Sequence, residues 1–177
     1  MPFLFRSLWR ALTVVVVMAP AILPAQGTRA TFLDYQTAVP AGWTSRAPSS
    51  SMRLAEYSTG GTAEVVVYFF GKGQGGPPDA NLARWKSQFS NPAGGAVYES
   101  VTRDTTGLFP LTIAEYRGSY ARGIGTGADA DAARPNHTLI AVVAETARGT
   151  LFFQCFGPAA AVAAQKAAYM AFARGLK

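Results

Sequence analysis

The sequence predicts an α+β domain: a mostly antiparallel sheet of about six or seven strands with two flanking helices. Three observations carry this. Runs rich in β-branched and aromatic residues are joined by hairpin-sized connections. Two stretches, one after Asp79 and one at the C-terminus, carry helical periodicity. The order is about three strands, a helix, about four strands and a helix, so helices pack on a sheet of sequential antiparallel strands.

The elements follow in chain order. "TFLDYQTAVPAGWTSR" opens with a short apolar stretch and runs to Pro40, Gly42 and Trp43, and "APSSS" is a loop. "MRLAEYS" sets Met52, Leu54 and Glu56 against Arg53, Ala55 and Tyr57, the alternation of a half-buried strand. "TGGT" is a turn, because Gly60 and Gly61 both tolerate positive φ. "AEVVVYFF" is the strongest strand; its unbroken apolar content predicts burial on both faces, a central position and a hairpin with the preceding strand.

After a glycine loop, Asp79 is the expected N-cap of "ANLARWKSQF", where Leu82, Trp85 and Phe89 form an apolar stripe. "SNPAGG" ends that helix, and "AVYESVTRD" and "LTIAEYRGSYAR" are strands separated by "TTGLFP". "GIGTGADADAARPN" is a long loop. "HTLIAVVAET" and "GTLFFQCFG" form a second hairpin. The alanine-rich end, with Pro158 near its start, is a helix that buries Val162, Tyr169, Phe172 and Leu176.

The N-terminus reads as an export signal. Arg6 and Arg10 precede an apolar stretch of 13 residues from Ala11 to Leu23, and "PAQG" follows. Cleavage after Ala25 is expected, which leaves one domain over residues 26–177. Pro20 and Pro24 cut the apolar run short of the roughly 20 residues that span a bilayer, so no integral span is expected after cleavage. The expected location is the periplasm of a didermic bacterium, or outside the cell. The single cysteine, Cys155, has apolar neighbours and reads as a small buried hydrophobe.

Losing Arg6 and Arg10 with the leader lowers the formal charge from +6 to +4. The remaining basic residues are scattered rather than clustered, which argues against nucleic acid as a partner.

Gly71, Gly73 and Gly76 satisfy the spacing of a dinucleotide loop, G-x-G-x-x-G, between a strand and a helix. The rest of that site is missing. Pro77 and Pro78 offer no N–H where a phosphate needs one. Asp79 places a negative charge there, and the strand belongs to a hairpin rather than a βαβ unit. Nucleotide binding is not expected. The loop reads as a connection, with Lys72 and Gln74 at its tip as candidate partner contacts.

Asp129 and Asp131 in the long loop are further candidate contacts, two carboxylates too few for a calcium site of six to eight oxygens. His137, the sole histidine, cannot build a zinc site with one buried cysteine and reads as a strand residue beside Pro135. There is no G-x-S-x-G. Asp34, Glu56, Glu64, Glu99, Glu115 and Glu145 stand singly, and alternation sends most of them to solvent. No cofactor is expected, and the chain is not read as an enzyme. Trp43 and Trp85, with Tyr68 and Tyr116, are candidate pocket or core residues.

The Gly42–Trp43 pair after an initial strand, the "MRLAEY"/"AEVVVYFF" hairpin, the short helix, and the later strands and C-terminal helix resemble the PsbP/Mog1-like α+β domains. The strings "FFGKGQGG", "ANLARWKSQF" and "LFFQCFGP" are similar to a group of uncharacterised exported bacterial proteins. The resemblance implies a binding or extrinsic subunit, since PsbP-type proteins dock on the lumenal face of a photosynthetic membrane complex. The leading expectation is therefore a non-enzymatic accessory domain that contacts a protein or envelope component by a sheet edge or the Lys72–Gln74 loop. The alternative is a small-ligand carrier with an apolar pocket between sheet and helices around Trp43 and Trp85. An enzyme would place its site in the 123–136 loop.

Overall fold

The computed structural model describes residues 28–121 and 133–177. The elements are β1 (Arg29–Phe32), β2 (Tyr35–Ala38), β3 (Thr44–Arg46), β4 (Arg53–Ser58), β5 (Glu64–Phe69), α1 (Pro78–Lys86), β6 (Phe89–Ser90), β7 (Tyr98–Asp104), β8 (Leu111–Tyr120), β9 (Arg134–Thr146), β10 (Gly149–Pro158) and α2 (Ala159–Arg174). The predicted leader and its exit at Ala25 lie outside the described residues, as do Asp129 and Asp131.

β1 and β2 form a separate hairpin. The other eight strands make one sheet in the order β3-β4-β5-β10-β9-β8-β6, with β7 also paired to β8. All pairings are antiparallel. The class is as predicted, but the strand count is higher. The opening stretch, where one strand is expected, forms three short ones, β1, β2 and β3, and β6 is added after α1; these four are two to four residues long. Strands that short show no usable period.

β5 lies between β4 and β10, and Val65, Val66 and Val67 are all buried, as its unbroken apolar run predicts. The β9–β10 hairpin runs in register from Thr146↔Gly149 to His137↔Pro158. At its turn Gly149 has φ +124°, and a Cβ there would sit 2.9 Å from the Phe69 ring, so both backbone and space require glycine.

Two clusters occupy opposite faces, as the period of two requires. On one, Val65, Val67, Ile140, Val142, Leu151, Phe153 and Cys155 pack under α2. Val162, Tyr169, Phe172 and Leu176 are buried there as predicted. Phe172 is the hub of this layer, with ring centroids 5.3–5.9 Å from Trp43, Tyr57, Phe32 and Phe153. The β1–β2 hairpin is tied to the same helix end. Thr37 donates to the Phe172 carbonyl at 2.6 Å, and the main chains of Gln36 and Lys177 exchange two hydrogen bonds. On the other face, Leu82, Trp85 and Phe89 pack on Ala114, Tyr116, Ala141, Val143 and Phe152.

Two local expectations are corrected. Asp79 is not the N-cap of α1. Pro77 holds that position and Pro78 begins the helix, where its missing N–H costs nothing. The helix also stops at Lys86, because Phe89 and Ser90 pair with Tyr120 and Ser119 as β6. That pairing is close: a Cβ on Gly118 would stand 2.4 Å from the Ser90 carbonyl oxygen.

Two acidic residues depart from the solvent-facing expectation. Glu115 is buried on the α2 face, where it accepts from Lys166 of α2 at 2.7 Å and from Arg117 at 2.6 Å. Burial alone would raise its pKa. Hydrogen bonds from Lys166 and Arg117 outweigh that, and the carboxyl titrates below its ordinary value. Glu56, the second, pairs with Arg53 at 3.0 Å. Cys155 is fully buried, and burial pushes its thiol up to about 12.

Replacing Phe172 by Ala should destabilise the domain by about 3–5 kcal/mol. Urea unfolding would read this as a lower midpoint at unchanged slope. A loss below ~1 kcal/mol would remove Phe172 from its place as hub.

Candidate functional site

The two faces of the sheet are closed unequally. α2 has 16 residues and, together with the β1–β2 hairpin, covers most of its face, leaving a recess of about 230 Å³ beside Glu115, Thr138 and Lys166. α1 has nine residues, about 13 Å at 1.5 Å per residue, and cannot reach across the strands below it. The uncovered part is a groove.

Two adjoining cavities of about 240 and 230 Å³ make up this groove, and they share Tyr68, Gln88, Tyr120 and Gln154. Together they fall in the range of about 300–1,000 Å³ common for binding sites. Each wall comes from a different element. β5 and the residue after it supply Tyr68 and Phe70, whose rings stack at 6.2 Å and 7°. β10 gives Phe152, Gln154 and Phe156, and β8 gives Tyr120, whose ring lies 4.4 Å from that of Phe156. α1 and the turn after it give Arg84, Trp85 and Gln88.

Three arginines stand around these aromatics: Arg53 of β4, Arg84 of α1 and Arg134 of β9. Among the described lining residues Glu64 alone is acidic, and it pairs with Arg46 at 3.3 Å. Arg53 is held in place twice. Its guanidinium lies 5.5 Å from the centre of the Tyr68 ring and 3.0 Å from Glu56. Glu56 also accepts the Ser49 N–H at 2.6 Å. Burial acts to raise the Glu56 pKa, but hydrogen bonds from Ser49 and Arg53 win, and the carboxyl titrates below its ordinary value. Arg84 donates to Asn81 Oδ1 at 2.6 Å. The arrangement is a cationic rim over aromatic walls with two carboxamides between them, a surface suited to anionic groups carried on apolar or planar bodies.

The glycine loop closes one end of this groove. Gly75 has φ +89°, and a Cβ there would lie 2.8 Å from the Phe70 ring and 3.1 Å from that of Phe152. Asn81 reaches back from α1 and donates to the carbonyls of Gly75 and Pro77 at 2.7 and 3.1 Å. The loop is thus bound back onto its own helix and two aromatic rings.

The candidates from sequence are dispersed. Lys72 and Gln74 are exposed at the loop tip and do not line the groove. Trp43 and Trp85 are not brought together, so the expected shared pocket is not formed. Trp43 packs on the α2 face and donates through Nε1 to Gln165 at 2.9 Å. Trp85 lies on the opposite face and forms part of the groove wall. Tyr116 is fully buried, whereas Tyr68 lines the groove. His137 lies within β9, its ring against Phe156, with Nδ1 2.8 Å from the Pro135 carbonyl oxygen. The sequence reading missed Arg53, Arg84, Arg134, Gln88, Tyr120 and Gln154. Alternation on β4 and β5 and the polar side of α1 were the available signals, but none says that these elements meet.

Among the described residues, no group of three or more His, Cys, Asp or Glu side chains could hold a metal ion, and no helix is long and apolar enough to cross a membrane. No family model matches the chain, and no curated protein does. Among solved structures, the solution structure of cyanobacterial PsbP (CyanoP) from Synechocystis sp. PCC 6803 matches with a TM-score of 0.53 and 13% identity, over 90% of this chain and 96% of that one. The fold is PsbP-like.

Replacing Arg53 by Met tests the groove's electrostatics. A carboxyl whose folded pKa is depressed contributes stability above its unfolded value of about 4.3, and that contribution is lost as pH falls through the folded value. The stability deficit of R53M should therefore be largest near neutral pH and should shrink on acidification, as Glu56 protonates in both proteins. Urea unfolding from neutral pH down to about pH 3 measures it. A deficit independent of pH would separate Arg53 from Glu56.

Proposed function

We propose that this chain is an exported, non-enzymatic accessory domain that docks an envelope component through the arginine-rimmed groove on the α1 side of its sheet. The observation that carries this is the unequal closure of the two faces. Around Trp43 the α2 side is packed by Phe153 and Phe172, and the recess of about 230 Å³ that remains on this side lies beside the paired Glu115, Arg117 and Lys166. The α1 side keeps an open groove whose rim carries arginines from three elements. The partner should present carboxylate or phosphate groups beside apolar or ring-bearing ones. The PsbP-like fold supports an extrinsic role at a membrane face, here the periplasmic face reached after cleavage near Ala25. Fold alone does not carry function; the groove does.

The test is capture in the native host. A tag should follow Lys177 through a flexible linker, because that residue's main chain is hydrogen-bonded to Gln36. Mild cross-linking of the envelope should yield one stoichiometric component, and Arg84→Glu or Tyr68→Ala should reduce its recovery about tenfold or more, the ~1.4 kcal/mol effect of one central contact. Equal recovery by wild type and both variants would contradict docking at the groove. A small molecule retained in native mass spectrometry, with no envelope component captured, would instead indicate a carrier.

A further inference from the structure

The β7 edge of the sheet carries a second surface. Among the described residues β7 pairs with β8 alone, and its outer edge presents a seven-residue strand, "YESVTRD". Exposed edges of this length are normally covered or blunted, because their free N–H and C=O groups pair with any extended chain. Here Tyr98 and Val101 remain 48% and 47% exposed. At the opposite edge, β3 offers only three residues.

The β7 sequence is self-complementary about Val101. Glu99, Val101 and Arg103 sit opposite Tyr116, Ala114 and Thr112 of β8, so all three share the α1 face of the sheet. Glu99 and Arg103 are equidistant from Val101 and opposite in charge, and Ser100 and Thr102 flank it with hydroxyls on the other face. An antiparallel pair of such strands with Val101 on the axis sets Glu99 against the partner's Arg103, Val101 against the partner's Val101, and Ser100 against the partner's Thr102. Each charge also has a neighbour of opposite sign in its own chain. Lys86 bonds Glu99 at 2.5 Å and Glu145 lies 3.4 Å from Arg103. Across the junction the charges alternate along Lys86, Glu99, the partner's Arg103 and the partner's Glu145, and two-fold symmetry repeats the series.

We propose that two copies of this chain pair antiparallel along β7, with Val101 on a two-fold axis, to make one continuous sheet. Such an isologous contact closes on itself, so the product is a dimer and not a fibre. Cross-strand pairs of opposite charge stabilise it, and like charges at the same positions oppose it. The groove, built on the central strands and α1, stays open in both copies.

Sedimentation velocity of the mature protein from about 1 µM to about 1 mM should show a reversible monomer–dimer equilibrium that weakens with added salt. Glu99→Arg and Arg103→Glu should each weaken self-association at least tenfold, by placing like charges opposite each other twice. An equimolar mixture of the two variants should dimerise again, because every Arg then faces a Glu. Circular dichroism and thermal unfolding of each variant show that the fold is kept, and recovery in the mixture is a readout that misfolded protein cannot give. Three results would overturn the proposal: a wild-type monomer at the highest concentration, a dimer indifferent to both substitutions, or no recovery on mixing. A monomer whose β7 amides become protected only with an added extended peptide would assign the edge to a different partner.

Discussion

Both faces of one antiparallel sheet must be buried, and the chain supplies two helices of unequal length for the task. Sixteen residues of α2 span about 24 Å, enough to run along the strands and place Phe172 among four other aromatic rings. The hairpin of β1 and β2 is latched to the end of that helix by Thr37 and by the main chain of Lys177, so the layer is closed at its margin as well. Nine residues of α1 cannot do the same for the other face. The helix side of that face is closed by Leu82, Trp85 and Phe89. Beyond them lie aromatic side chains and carboxamides under arginines, a composition that tolerates water and offers contacts to a partner.

The strand–glycine–helix stretch acquires a structural role in this setting. Its spacing imitates a phosphate loop, yet Pro77 and Pro78 at the helix start offer no N–H and Asp79 in the first turn repels an anion. Its glycines let the chain turn at positive φ and lie against Phe70 and Phe152, and Asn81 bonds the turn to α1. The loop fixes the place of the short helix, and the short helix sets the width of the groove.

The sequence carried what is local. The β5 run, the apolar face of α2 and the β9–β10 hairpin are each specified by one contiguous stretch of chain, and all were legible there. Strands as short as β3 and β6 have no period to read, and the end of α1 was set by the pairing of Phe89 with Tyr120, which no local pattern announces. The groove was illegible for a related reason. It gathers Arg53, Arg84 and Arg134 from three separated elements, and they converge because β10 is inserted between β5 and β9. The two tryptophans fell on opposite faces because the sheet separates them. Glu56 and Glu115 turn inward against simple alternation because each finds a cation at hydrogen-bond distance, an arrangement that only the assembled sheet provides.

The central claim is that the α1 side of the sheet, and not α2 or the glycine-loop tip, is the docking face. Photo-crosslinking residues introduced in the native host at Gln88 in the groove, at Gln74 on the loop tip and at the exposed Ala167 on the outside of α2 would test this most directly. The account expects an envelope adduct from Gln88 and none from Ala167. Adducts from Ala167 or Gln74 with nothing at Gln88 would contradict it and move the docking face elsewhere.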